Sequence, residues 1–191
     1  MAVIDLPGRQ IQLRVVYYGP AFGGKTTSLQ FIAARVPEHA RGDFVSISSG
    51  DERTLFLDDL PLSLGAVAGW TIHADLVSVP GQPDFERTRV AILGGADGVV
   101  FVADSDPART DANCASLEEL RRNLVDAGRD PESFPLVFQF NKRDLPAALP
   151  TPDLHAALNP LAKPAFPTVA TQGDGVFDAL RAVCRQVARA L

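Results

Sequence analysis

The segment that most constrains the fold of this 191-residue chain is Gly19–Thr26, with the sequence GPAFGGKT. It fits the pattern G-x-x-x-x-G-K-[ST], which folds as a phosphate-binding loop between a strand and a helix. The β-rich run Ile11–Tyr18 precedes the loop, and the helix-forming run Thr27–Arg35 follows it. A chance match in a chain of this size is on the order of one in a hundred. The flanks therefore favour a phosphate-binding loop over a glycine-rich turn with a solvated lysine.

The residue types in this loop suit a triphosphate and a magnesium ion. Backbone N–H groups can wrap an anion closely where glycine removes the side chain, and a helix N-terminus adds positive potential. The Lys25 ammonium is expected to reach the β- and γ-phosphates, and the Thr26 hydroxyl is expected to ligate Mg²⁺. The predicted nucleotide-binding residues of this segment are Gly19, Ala21, Phe22, Gly23, Gly24, Lys25, Thr26 and Thr27.

Length and composition predict one globular domain over residues 1–191, with residues 1–9 as a short extension. The net charge is −5 and no basic block is present, so nucleic acid is not expected as a partner. No apolar run reaches the length of a membrane span, and direct membrane insertion is not expected. Cys114 and Cys184 are predicted to be free thiols in a reducing cytosol.

Beyond the loop, apolar strand-like runs alternate with helical patterns. The predicted strands are Ile11–Tyr18, Phe44–Ser48, Trp70–Val79, Gly98–Ala103, Pro135–Phe140 and Ala165–Val169. The segment Ser49–Gly69 has no clean periodicity and is predicted to be irregular. Alternation of this kind predicts a mostly parallel α/β sheet with ligands at the carboxyl ends of its strands.

A second motif, Asn141-Lys142-Arg143-Asp144, follows a predicted buried strand and fits N-K-x-D. The order and spacing of the two motifs resemble a Ras-like small GTPase. That resemblance implies that Asp144 binds the guanine N1 and N2 hydrogens, and one carboxylate can accept from both donors. The Lys142 stem can cover the ring and Asn141 can brace the loop. The alternative is that these four residues form a polar turn.

By the same resemblance, Ala170 and Thr171 occupy the place of the last guanine-contacting loop. The resemblance implies a P-loop NTPase fold with a mostly parallel sheet of six or seven strands, flanked by helices on both faces.

More specifically, the chain resembles MglA, a bacterial polarity subgroup of these GTPases, from about residue 10 to the end. The matching segments are Val16–Pro20, Arg53–Phe56, Leu60–Leu62, Val79–Gln82, Gly98–Ser105, Asn141–Pro146 and Gly175–Phe177.

The resemblance also assigns catalytic roles. Gln82 is expected to orient the attacking water, and the Gly81 N–H is expected to contact the γ-phosphate. Thr54 would join Mg²⁺ and the γ-phosphate, and Arg53 would act as an internal arginine finger, offsetting charge in the transition state. Lys25 completes the predicted catalytic set. On the residues alone, a solvated loop arginine is the favoured interpretation of Arg53, and the alternative for Gln82 is a polar turn residue.

Two positions depart from the patterns of these families. Ras-like proteins carry Asp, and MglA-type proteins usually Thr, where this chain has Ser78. We therefore expect Thr26 and Thr54 to hold Mg²⁺ together with phosphates and water. The chain also has Ala21 where the MglA pattern has Gly. A methyl group there would face the γ-phosphate and can slow hydrolysis without weakening nucleotide binding.

Two functions follow as hypotheses. The first is a GTP-binding and GTP-hydrolysing switch that cycles between GTP and GDP with Mg²⁺. Such a switch would act in cell polarity or motility, with a roadblock-type MglB-like activator and an exchange factor and effectors not yet identified. We expect a cytoplasmic monomer that partners recruit to a cell pole. The second is a scaffold that holds GTP or GDP with little turnover. A P-loop kinase is disfavoured because Asn141–Asp144 selects guanine.

Overall fold

The computed structural model describes residues 2–49, 53–67, 69–80 and 86–191. The strands within these ranges are β1 (Val3–Asp5), β2 (Gln10–Tyr18), β3 (Val45–Ser49), β4 (Arg53–Val67), β5 (Trp70–Ser78), β6 (Gly98–Asp104), β7 (Leu136–Asn141) and β8 (Ala165–Pro167). The α-helices there are α1 (Lys25–Arg35), α2 (Glu86–Gly94), α3 (Thr110–Asp126), α4 (Thr151–Leu158) and α5 (Val176–Ala190). Single turns of 3₁₀ helix lie at Glu38–Ala40 and Pro107–Arg109.

All of these strands belong to one sheet, in the order β3-β4-β5-β2-β6-β7-β8, with β1 paired to β2. The pairings from β5 across to β8 are parallel, whereas β4 pairs antiparallel with both β3 and β5. The predicted α/β class is confirmed. Because consecutive parallel strands are joined by helical crossovers, the loops that leave their carboxyl ends lie along one edge of the sheet.

Over the described residues the sheet has eight strands, where six or seven were expected. One additional strand is β1, which lies in the predicted N-terminal extension and pairs antiparallel with β2 from Val3↔Gln12 to Asp5↔Gln10. The other is β4, in the segment that was predicted to be irregular.

The prediction of an irregular segment was wrong over Arg53–Val67, because β4 has few of the usual strand signals. Leu60 and Leu62 are buried and alternate with more exposed neighbours, but the next inward position is the charged Asp58. Pro61 also argues against a strand interior. Its carbonyl accepts from the Gly42 N–H at 2.8 Å and so points away from β5. Proline has no backbone N–H to donate. At Pro61 that N–H would point to the same side, beyond the end of β3, where no ladder hydrogen bond is required.

Helices cover both faces of the sheet, and each face has its own buried core. Helices α1 and α5 pack on one face, and α3 packs on the other, where it contacts α2 and α4. Every residue of β6 and β7 is buried, which confirms the prediction of strands covered on both faces. The core of the first face includes Val15, Tyr17, Leu29, Ile32, Leu76, Val102, Leu180 and Val183, and that of the second includes Val16, Leu93, Phe101, Leu120, Phe138 and Leu154.

Cys114 and Cys184 are both free, as predicted. Burial raises the pKa of the Cys184 thiol to about 11, so this group stays protonated at neutral pH. No helix in the described part of the chain is long and apolar enough to cross a membrane.

Candidate functional site

The loop between β2 and α1 adopts a conformation that requires glycine at two positions. Gly19 and Gly24 have φ angles of 139° and 103°, in the region that L-residues rarely adopt. A Cβ on Gly24 would lie 2.1 Å from Asn141 Nδ2, and one on Gly19 would lie 2.3 Å from the Val102 carbonyl oxygen. The Gly23 N–H donates to the Pro20 carbonyl at 3.2 Å and closes the turn. The loop is therefore shaped by backbone conformations and close contacts that only glycine allows.

Lys25, the first residue of α1, is held beneath this loop. Its ammonium donates to the carbonyl oxygens of Gly19 and Pro20, both at 2.8 Å. Burial lowers the pKa of Lys25 to about 8, an effect that nearby Asp58 partly opposes and Arg89 reinforces. Burial disfavours an ammonium that has no opposite charge nearby. An anion bound at the N-terminus of α1 would supply that charge and so favour the protonated form of Lys25.

A buried carboxylate that the sequence analysis did not identify lies beside Thr26. Asp58 of β4 has no exposed surface and accepts hydrogen bonds from three hydroxyl groups. Thr26 Oγ1 and Ser78 Oγ donate to Asp58 Oδ2, and Ser46 Oγ donates to Oδ1, each at 2.5 Å. Asp58 and Ser78 are directly opposed across the β4–β5 ladder. A carboxylate is therefore present next to position 78, but the neighbouring strand supplies it.

This group of oxygen atoms has the chemistry that Mg²⁺ requires. Magnesium in nucleotide sites is held by one or two carboxylates, hydroxyls, phosphate oxygens and several waters. A hydroxyl that donates its single proton to a carboxylate can still ligate a cation through its oxygen lone pairs. No cluster of three or more His, Cys, Asp and Glu side chains suited to a metal occurs among the described residues. The hydroxyl of Thr26 and the carboxylate of Asp58 fit such a site, to which a bound phosphate chain would add further ligands.

Asn141 connects the phosphate-loop motif to the second motif. Its side chain is buried, and Nδ2 donates to the Gly23 carbonyl at 2.8 Å. Its Oδ1 accepts from the Ala170 N–H at 2.9 Å and from Thr168 Oγ1 at 3.2 Å. The loops that follow β2, β7 and β8 are thus joined by one amide, and the two motifs meet at one edge of the sheet.

Lys142 and Asp144, two of the residues that were expected to contact a base, differ in how they are held. Lys142 has a left-handed backbone with φ of 64°, and its ammonium lies 2.6 Å from Oδ2 of the buried Asp104. This ion pair directs the Lys142 stem. Asp144 is exposed, and its carboxylate makes no hydrogen bond or ion pair with any other described residue. Its oxygens are available to accept hydrogen bonds from a ligand.

Not every predicted site residue can be located. Gly81 and Gln82 lie outside the described residues. The backbones of Arg53 and Thr54 begin β4, opposite Ser49 and Ser48 of β3, but their side chains lie outside the described part of the structure. Around the loop, Ala21, Thr27 and Thr171 are at least partly exposed, and Phe22 is 59% exposed with φ of 63°.

No model of a known protein family matches this chain. The chain is 46% identical over 187 residues to the mutual gliding-motility protein MglA of Myxococcus xanthus (strain DK1622). That similarity covers 98% of this chain and 96% of the relative.

The chain belongs to the MglA family. This relationship confirms the resemblance inferred from the motifs, and the α/β sheet flanked by helices agrees with the Ras-like P-loop GTPase fold of that family.

One further buried residue of this MglA-family chain lies next to the segment that carries Gly81 and Gln82. Arg89 of α2 is 2% exposed and donates through Nη1 to the Pro80 carbonyl at 3.1 Å. Its Nη2 pairs with Glu119 of α3. The residue that immediately precedes this segment is therefore anchored to both α2 and α3. The sequence gives little indication of this role, because an arginine in an amphipathic helix is most often solvated.

The contacts of Asn141 predict a specific effect of Asn141→Ala. Loss of the amide leaves the Gly23 carbonyl and the Ala170 N–H without their partner, and should lower the free energy of unfolding by about 3 kcal/mol. Hydrogen exchange should also accelerate in a peptide covering residues 19–26.

Asn159→Ala is the matched control, because Asn159 is similarly buried and its side chain bonds to both backbone polar groups of Lys163, far from the loop. In urea denaturation, Asn159→Ala should lower the free energy of unfolding by about as much as Asn141→Ala does. Its hydrogen exchange at residues 19–26 should be no faster than that of the native chain. Equal exchange in the two variants would contradict the bracing role of Asn141.

Proposed function

We propose that this chain is a GTP-binding, GTP-hydrolysing switch of the MglA type. The observation that carries the proposal is the amide of Asn141, which joins the Gly23 carbonyl of the phosphate loop to the loop after β8. The glycine-rich loop, the buried Lys25 and the exposed carboxylate of Asp144, which no other described residue pairs, thereby share one edge of the sheet. A guanine nucleotide is the ligand class whose two ends match these two sets of groups.

The phosphate chain is proposed to lie at the N-terminus of α1. Backbone N–H groups of Gly24 and Lys25 and the Lys25 ammonium would bind the β- and γ-phosphates, and the turn that the Gly23 N–H closes would hold the loop around them. Thr26, Thr54 and Asp58 would hold Mg²⁺, with Asp58 acting directly or through a water. When bound, the cation neutralises charge on the phosphate oxygens.

The base is proposed to lie against the loops after β7 and β8. Asp144 would accept from guanine N1 and N2, and the Lys142 stem, directed by Asp104, would cover one ring face. Ala170 and Thr171 would border the base on its other edge.

Hydrolysis is proposed to depend on residues 53–54 and 81–82. Gln82 would orient water, the Gly81 N–H would contact the γ-phosphate, and Arg53 would stabilise the charge that develops on the transferred group. Phosphate release would then reorganise these segments and alter the surface that partners bind. The partners proposed are an MglB-like roadblock-type activator, an exchange factor and effectors of polarity or motility. The protein would work in the cytoplasm and reach a cell pole through them.

Base selection is tested by Asp144→Asn. The amide can accept from one guanine donor only and presents its own donor to the other, so affinity for GDP should fall about a hundredfold, because two charge-assisted hydrogen bonds are lost. Xanthosine diphosphate, which carries a carbonyl at C2, should bind the variant more tightly than it binds the native chain. Competition against a fluorescent guanine nucleotide measures both affinities.

Asp153→Asn provides the control, because Asp153 is an exposed carboxylate in the first turn of α4. It should leave both affinities unchanged. A native preference for adenine nucleotides, or an Asp144→Asn variant with undiminished GDP affinity, would overturn the assignment of the base site.

The metal assignment is tested by Asp58→Asn. Release of fluorescent GDP from the native protein should be at least about tenfold slower in millimolar Mg²⁺ than in EDTA, because a cation held by Thr26 and Asp58 would neutralise the charge of the phosphates beside them. The variant should lose most of that difference. Asp59→Asn is the control, since Asp59 is the next residue of β4 and faces the opposite side of the sheet. The same Mg²⁺ dependence in both variants would remove Asp58 from the metal site.

Turnover is tested by single-turnover hydrolysis of preloaded GTP, alone and with an MglB-like partner. We expect slow hydrolysis alone and a partner-dependent acceleration that falls by about a thousandfold in Arg53→Ala, the scale of an arginine finger. Gln82→Ala should also abolish the gain.

The same assay with Ala21→Gly separates the two hypotheses. If GTP stays intact with the partner present and only Ala21→Gly restores turnover, the chain is a GTP-holding scaffold, and the methyl group of Ala21 is the cause.

A further inference from the structure

An arginine outside both motifs contacts the phosphate loop. Arg109 Nη2 donates to the Ala21 carbonyl oxygen at 2.9 Å, a contact between positions 88 residues apart in the chain. This is the sole hydrogen bond that Arg109's side chain makes among the described residues, and it forms no ion pair with any of them. Its other guanidinium nitrogens, Nε and Nη1, therefore remain available at the rim of the loop.

The backbone that carries Arg109 is held rigidly. Arg109 ends the 3₁₀ turn Pro107–Arg109, and its N–H donates to the Asp106 carbonyl at 2.9 Å. The Asp106 side chain accepts from the Ala108 N–H at 2.9 Å, and the Asp106 N–H donates to Asp104 Oδ1 at 3.0 Å. The guanidinium is thus projected from a fixed turn that starts at the buried carboxyl end of β6.

The contact fixes the orientation of one peptide unit. A trans peptide directs its carbonyl and its N–H to opposite sides, and the described residues contain no cis peptide. Since the Ala21 carbonyl points to Arg109, the Phe22 N–H of the same unit points the other way. A hydrogen bond to the carbonyl also polarises the unit and strengthens its N–H as a donor.

We infer that Arg109 is a positioning residue for the phosphate loop and that it favours a nucleoside triphosphate over a diphosphate. By holding the Ala21–Phe22 peptide, it presents the Phe22 N–H to the phosphate chain, and its charge, which no described carboxylate pairs, adds attraction for the more highly charged nucleotide. The inference rests on the proposed guanine-nucleotide function and adds a selectivity to it.

The test compares the affinities of Arg109→Ala and the native protein for GDP and for a non-hydrolysable GTP analogue. The dissociation constant for the triphosphate analogue should rise about tenfold, because a charge-assisted hydrogen bond and a nearby charge are lost. The dissociation constant for GDP should rise only about twofold. Arg109→Lys, which keeps the charge and a donor on a shorter reach, should recover part of the triphosphate preference.

Arg129→Ala is the matched control, because Arg129 is also partly buried and also ties a distant loop, through the carbonyls of Gly94 and Ala96. It should leave the ratio of the two dissociation constants unchanged. Hydrogen exchange in a peptide covering residues 19–26 should rise in Arg109→Ala and not in Arg129→Ala.

The outcomes separate this inference from the function on which it rests. If the native chain binds neither guanine nucleotide, the proposed function fails. If the native chain binds both nucleotides and Arg109→Ala weakens them equally or not at all, the function stands, and the positioning role of Arg109 is refuted.

Discussion

The geometry of the site depends on the buried amide of Asn141. Parallel strands bring the carboxyl ends of β2, β7 and β8 to the same edge, but loops that leave neighbouring strands are not held together by the sheet itself. Asn141 supplies that connection, with a donor to Gly23 and an acceptor for Ala170. The contact also explains why the first motif has glycine at position 24, since a Cβ there would lie 2.1 Å from Asn141 Nδ2.

The antiparallel part of the sheet contributes the carboxylate next to Thr26. Directly opposed residues in an antiparallel ladder lie about 5 Å apart, so either strand can supply a carboxylate to almost the same point in space. Asp58 and Ser78 are such a pair, and the hydroxyl at position 78 donates to the carboxylate at position 58. This chain has Ser78 where Ras-like proteins carry Asp. A carboxylate is nevertheless present at almost the same place, because Asp58 of the neighbouring strand supplies it.

Much of the fold could be predicted from the sequence, and the failures have physical causes. Strands β6 and β7 are continuous apolar runs because both of their faces are covered, which makes them easy to identify. Strand β4 was missed because Asp58 occupies an inward position, Pro61 interrupts the run, and Gly65 marks a register shift against β5. Asp58, the charged residue that hides the alternating apolar pattern of the strand, is also a candidate functional residue. The strand pattern therefore failed at a candidate functional position.

The sequence by itself determined the glycine-rich loop Gly19–Thr26 and the position of the Asn141–Asp144 motif after a buried strand, because their geometry is local. A glycine at positive φ and a lysine at the start of a helix shape only the few residues around them. A short sequence pattern is therefore enough to identify them. Only the tertiary structure decided that Asp58 reaches Thr26 and that Arg109 reaches Ala21. These side chains are 32 and 88 positions from their partners, and nothing in the spacing of the residues specifies contacts that form only when strands pair and turns pack.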